Sequence, residues 1–157
     1  TSPLEDPDLR LWALFDRTGD IIDKTRDIEL AHYKLSRVQA SVLFILLEHG
    51  RGMTLSEIAS YNVREPNSVL SLVNRMEKSG LVKKSKLPGE DKFTVTITEK
   101  GRKLYFSSTR LSLQMVFSVL SKKEREILES SLKKLSKTGR EMLGLDYKPP
   151  FIPNDSI

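Results

Sequence analysis

The chain has 157 residues, 38% hydrophobic and 30% charged, a balance that suits one globular domain, or one domain with an oligomerisation appendage. Its formal charge is +5 and it contains no cysteine, which excludes disulfides, thiol nucleophiles and cysteine-ligated zinc. No apolar run approaches the roughly 18 residues needed to cross a bilayer, and the opening TSPLEDPDLR is too acidic and polar for a signal peptide, so a cytoplasmic protein is expected.

Residues 9 to 33 place Leu11, Leu14, Thr18, Ile21, Thr25 and Ile28 at a 3-4-3-4-3 spacing, with Phe15 and Ile22 widening the stripe. That is the seam of a long helix that packs on another long helix, from the same chain or a second copy. The segment SRVQASVLFILLEHG follows, with Ser36 and Gln39 in capping-box spacing and a stop at Gly50. It is apolar on most sides and is expected to be central. TLSEIASYN repeats the capping device with Thr54 and Glu57. A third helix is expected over residues 66–79, with Pro66 in the first helical position, where a missing N–H costs nothing.

After Gly80 the period changes. LVKKSK and FTVTIT read as two short strands joined by a turn at Pro88-Gly89, a two-stranded hairpin. From Thr98 to about Leu120 the pattern is helical again, with Leu104, Leu111, Met115 and Val119 on one face. Ser121 with Glu124 caps a last helix whose stripe runs through Ile127, Leu128, Leu132, Leu135 and Met142. Residues 144–157, with three prolines, read as an irregular tail.

The basic charge is concentrated in the middle of the chain. Residues 1–30 carry four basic and eight acidic side chains, whereas residues 64–103 carry ten basic and five acidic. A polyanion partner is the natural inference, the plainer alternative being a lysine-rich solvated surface. The helix at 66–79 lies in this region and buries Val69, Leu72, Val73 and Met76 by its spacing, leaving Asn67, Ser68, Ser71, Asn74 and Arg75 on the other side. Amides and hydroxyls both donate to and accept from base edges, and the first turn of such a helix aims free N–H groups and the positive dipole end at phosphate. The order helix, short helix, helix, hairpin is that of a winged helix-turn-helix, the fold expected here: mainly α with a small β-hairpin wing.

The segments LSRVQASVLFIL, TLSEIA, NSVLSLVNRMEKSGLVKKS and VTITEKGRKL stand at the mutual distances found in the MarR family of winged-helix transcription regulators, which the chain resembles over roughly residues 9 to 143. The resemblance implies a homodimer in which the first, fifth and sixth helices of the family fold interlock, each lobe reading half of a pseudopalindrome in double-stranded DNA. It divides the chain into a dimerisation helix at 1–35, a DNA-binding lobe at 36–98 with its wing at about 81–98, dimerisation helices at 99–143 and the tail at 144–157. Carried over to matching positions, Asn67, Ser68, Ser71 and Arg75 contact bases or phosphates. Pro66 and Asn74 belong to the same face, and Leu70 either meets a thymine methyl or packs on a neighbouring helix. The family's wing commonly carries an Asp-x-Arg pattern, whereas here the turn reads KLPGEDK, one residue shorter and without arginine. Lys92 stands where the arginine would be, so minor-groove entry is left open against phosphate contact by Lys86 or Lys92 alone. Lys83 and Lys84 join them as phosphate contacts, or else protect an exposed strand edge.

Trp12, Phe15, His32 and Tyr33 lie where the family often forms a small-molecule pocket, the alternative being packing in a dimer interface. His32 and His49 have no acidic cluster at metal-ligand spacing, and no metal or cofactor is expected. With no phosphate-cradling glycine loop and no Gly-x-Ser-x-Gly elbow, the sequence gives an enzyme little to stand on. The expectation is a ligand- or signal-responsive repressor that binds its operator as a homodimer. The alternatives are a winged-helix module for protein assembly and an effector-independent architectural DNA binder.

Overall fold

A computed structural model describes residues 1–86 and 88–145. After a single 3-10 turn at Pro3–Glu5 come α1 (Pro7–Ala31), α2 (Arg37–His49), β1 (Met53–Thr54), α3 (Leu55–Asn62), α4 (Pro66–Lys78), β2 (Val82–Ser85), β3 (Thr94–Ile97), α5 (Glu99–Ser107), α6 (Leu111–Phe117) and α7 (Lys122–Met142). Of the tail, only Gly144 and Leu145 fall among the described residues. The chain forms two compact units, one of Thr1–Arg37 with Thr109–Val119, the other of Val38–Ser108 with the chain from Leu120 onward.

In the first unit, α1 is capped at its N-terminus by Asp6, whose Oδ1 accepts from the N–H groups of Asp8 at 2.9 Å and Leu9 at 3.2 Å. Near its C-terminal end, α1 packs on α6 through a polar cluster. Glu29 accepts at 2.7 Å from the backbone N–H of Leu111 and at 2.6 Å from the Ser112 hydroxyl, while Arg26 donates to Glu29 and to the Thr109 carbonyl, each at 2.8 Å. The carboxylate thus caps a helix whose own N-cap, Arg110, supplies no side-chain bond.

The continuous helix expected from Thr98 to about Leu120 is therefore two helices. Ser108 is extended (φ −70, ψ 135) and its hydroxyl donates to the Tyr105 carbonyl at 2.6 Å. Serine that bonds locally to the backbone in this way competes with the helical ladder. The hydrophobic period runs through the break because both helices keep an apolar face, and periodicity alone does not report where one helix ends and the next begins.

In the second unit, α2 contributes Ala40, Val42, Leu43, Ile45 and Leu46 to the core, as its near-continuous apolar pattern requires. Both halves of the Thr54–Glu57 capping box are present at the start of α3, and those of Ser121–Glu124 at the start of α7. The sheet has three antiparallel strands in the order β1-β3-β2, with Val82 opposite Ile97, Lys84 opposite Val95 and Met53 also opposite Val95. The hairpin is as expected, and β1 is an addition: two residues are too few to show a period of two. Met53, Val82 and Val95 are buried and join the sheet to the helical core.

α3 ends at Val63 in the left-handed conformation (φ 52, ψ 51), where a β-branched residue is held against a cost of about 1–2 kcal/mol. The turn to α4 is correspondingly sharp.

Candidate nucleic-acid interface

α4 begins at Pro66 behind an extended Glu65 that makes no capping bond. The N–H groups of Asn67 and Ser68 in its first turn have no carbonyl a turn back to accept them, and both residues are exposed. The helix divides by its own period. Val69, Leu72, Val73 and Met76 are buried to 4% exposure or less, and burying each contributes about 1.5–3 kcal/mol. On the opposite side, Asn67, Ser68, Ser71 and Arg75 are all exposed. The helix stops at Gly80, whose φ of 77 suits glycine, with the N–H of Gly80 on the Glu77 carbonyl and that of Leu81 on the Met76 carbonyl, both at 2.9 Å.

Leu70 and Asn74 are less open than the rest of this face. Leu70 is half-buried, which fits packing as well as contact with a methyl group. Asn74 is half-buried too, and its Oδ1 accepts from Lys84 Nζ at 2.5 Å. Lys84 belongs to β2, where its backbone N–H donates to Glu77 Oε2 at 2.8 Å, its ammonium lies 3.7 Å from Glu77 Oε1, and it stands 5.3 Å from the centre of the Phe93 ring. The sequence pattern does not mark Glu77 or Phe93 as site residues. Nothing in a linear pattern pairs residue 77 with residue 84, because the sheet brings them together. Lys83, Lys86 and Lys92 are exposed on the wing. The surface thus combines a polar helix face, uncapped N–H groups and exposed ammonium groups, the donors that duplex recognition requires.

The other candidates are distributed differently. Trp12 and Phe15 are more than half exposed on α1, His32 is exposed at its C-terminal cap, and the Tyr33 hydroxyl lies 3.4 Å from Thr109 Oγ1. His49 lies 3.6 Å from Glu57, which also pairs with Arg51 at 3.3 Å. Among the described residues, no group of three His, Asp or Glu side chains could hold a metal ion, and no helix is long and apolar enough to cross a membrane. An open groove of about 490 Å³ lies in the second unit, lined by Ser41, Asn62 and Val63 on one side and by Gly139, Arg140 and Leu143 of the α7 end on the other. Arg140 donates to the hydroxyl and carbonyl of Ser60 across it, at 3.1 and 3.3 Å. No sequence signal marked this groove.

A family model described as the MarR family matches residues 35–92, from the approach to α2 through the wing turn. The HTH-type transcriptional regulator TtmR of Methylorubrum extorquens (strain PA1) is 34% identical over 76 residues, a match that takes in 48% of this chain and 38% of that protein. The ligand-free form of an organohalide sensing transcriptional regulator is similar in structure, with a TM-score of 0.80 at 23% identity, covering 100% of this chain and 96% of that one. A mutant MarR from E. coli, complexed with operator DNA, has a TM-score of 0.75 at 19% identity, covering 85% and 99%. The structural likenesses carry the fold, a winged helix with flanking helices.

Proposed function

We propose that this chain, whose residues 35–92 match the MarR family, is a sequence-specific DNA-binding transcription regulator of the cytoplasm, a repressor that binds a pseudopalindromic operator as a homodimer. One observation carries the reading: α4 buries its aliphatic side and leaves Asn67, Ser68, Ser71 and Arg75 open on the other. A helix so divided fits a major groove about 12 Å wide while staying anchored in its own core.

Lysines of the wing and Arg75 supply salt-dependent affinity by releasing counterions from phosphate, and the amides and hydroxyls of α4 discriminate among bases at about 1–3 kcal/mol per good bidentate contact. A dimer places the two recognition helices about 34 Å apart, one duplex turn, when both lobes face the same side. A ligand or other signal that changes this spacing releases the operator. The regulator similar in fold that senses organohalides supports a ligand-responsive reading, and the groove beside Arg140 is large enough for a small molecule.

Binding measured at fixed salt tests the reading, using the DNA upstream of the protein's own gene against random duplex of equal length. The wild type discriminates between them, and Asn67→Ala and Ser71→Ala each weaken binding to the upstream DNA far more than binding to random duplex. Equal losses on both DNAs overturn direct readout by α4.

A further inference from the structure

Lys84 is unlike the other wing lysines. Its ammonium is turned inward, with the side chain 26% exposed, onto Asn74 Oδ1, Glu77 Oε1 and the Phe93 ring. Its backbone N–H is also held by Glu77, so both ends of the residue are tied to α4 or to the wing's own aromatic. An ammonium has only hydrogens to offer, so the Asn74 amide atom that faces it is the oxygen. The Nδ2 group and its two hydrogens then face away from the wing strand, and no partner for them is found among the described residues. Asn74 sits between Ser71 and Lys78 on the polar side of α4, half-buried and within reach of the same surface.

We infer that Lys84 is a positioning residue that fixes the amide of Asn74 donor-outward, so that Asn74 reads a base acceptor rather than adenine's donor–acceptor pair. The inference rests on the proposal that α4 reads DNA. Bidentate recognition of adenine needs the oxygen and nitrogen of one amide aimed together at N6 and N7. With the oxygen held toward β2, the outward N–H groups suit guanine O6 and N7 or thymine O4. Glu77 holds Lys84 in place through its backbone and its charge, and the Phe93 ring lies under its ammonium.

Selection from a library randomised over the half-site tests this with the full-length chain, comparing wild type, Asn74→Ala, Lys84→Met and Lys84→Gln, each checked by its thermal melt. Wild type shows one base pair at which an acceptor-presenting base is preferred, and Asn74→Ala flattens that position. Lys84→Met, which has no donor, shifts the same position toward adenine by about tenfold, the worth of one good contact, and leaves the others unchanged. Lys84→Gln, a neutral donor, keeps the wild-type preference, and Lys84→Leu, equally without a donor, replaces the methionine variant if that one does not fold; a donor-free variant that keeps the wild-type preference overturns the inference.

Loss of affinity for every sequence alike in Lys84→Met and Lys84→Gln, with the salt slope lowered by about 0.9 and all preferences retained, overturns the inference, because Lys84 is then an ordinary phosphate contact. A changed position other than that of Asn74 overturns it too. A wild type that selects no sequence overturns the operator-binding proposal itself, and this assignment with it.

Discussion

Glu29 Oε2 accepts a 2.7 Å hydrogen bond from the backbone N–H of Leu111, 82 residues away in sequence. Burial pushes the Glu29 carboxyl up, but hydrogen bonds from Ser112, Thr109, Arg26 and the Leu111 backbone outweigh it and hold the group at about 2, against an ordinary 4.5. A depressed folded-state pKa contributes stability above the unfolded value and loses it as pH falls through the folded one. The Glu29 contribution is therefore complete above pH 4.5 and disappears toward pH 2. Its size is roughly 2–4 kcal/mol, since the side chain is only 10% exposed. Glu29→Gln should lower stability at pH 7 by about 2 kcal/mol and flatten its pH dependence between pH 4.5 and 2, as read by urea unfolding across that range. A variant whose stability still falls as steeply as wild type shows the acid sensitivity to lie elsewhere.

Gly101 faces a different restriction. A Cβ built on it meets the Leu81 carbonyl oxygen and lies 3.0 Å from Ile97 Cγ1. That carbonyl already accepts the Thr98 N–H at 3.1 Å, and the Thr98 hydroxyl accepts the Gly101 N–H at 3.0 Å, so neither side of the contact moves freely. Gly101→Ala should destabilise the lobe by about 2–3 kcal/mol, where alanine in an ordinary helix would stabilise it. Chemical denaturation with an unchanged m-value checks this, and a neutral or stabilising result means that α5 can shift away from Leu81.

Much of this was legible in the sequence, for a physical reason. The Thr54–Glu57 and Ser121–Glu124 boxes, Pro66 at the head of α4 and the stripe through Val69, Leu72, Val73 and Met76 are local devices, complete within a few residues. What the pattern missed depends on chain far away. The strand at Met53–Thr54 exists because β3 offers it an edge, the break after Ser107 is stabilised by Glu29 of another helix, and the inward turn of Lys84 needs Glu77 and Phe93 on two other segments. The same holds for the candidate interface. Helical spacing separates the polar side of α4 from the buried one, but the half-burial of Asn74 and Lys84 comes from the contact between them.

Each compact unit leaves an apolar helix face in solvent. On α1, Leu11, Trp12, Leu14 and Phe15 are 56–65% exposed, and on α7 so are Ile127 and Leu135 at 56% and 57%. Exposed apolar clusters of this size mark association surfaces, and the proposed occupant is a second copy. Leu14→Glu with Phe15→Glu, and separately Leu135→Glu, should reduce the mass in sedimentation equilibrium from twice 17.9 kDa to that of one chain. Operator affinity should fall with it, since each lobe then binds alone. A wild-type protein already monomeric at high concentration ends the homodimer reading.

Lys86 and Lys92 flank the wing turn, both exposed, and among the described residues neither has an acidic partner. Either one that touches phosphate displaces a counterion, so its removal lowers the slope of log K against log salt by about 0.9 per lobe. Lys92→Ala should therefore bind all duplexes more weakly at low salt, converge on wild type as salt rises, and keep the wild-type order of preference among sites. The same experiment separates phosphate contact from minor-groove entry. A residue inserted between the strands reads A·T against G·C through groove width and acceptor pattern, so its loss would change preference at the outer base pairs as well as the slope. Lys92→Ala with wild-type slope and wild-type preference places the wing turn off the DNA altogether.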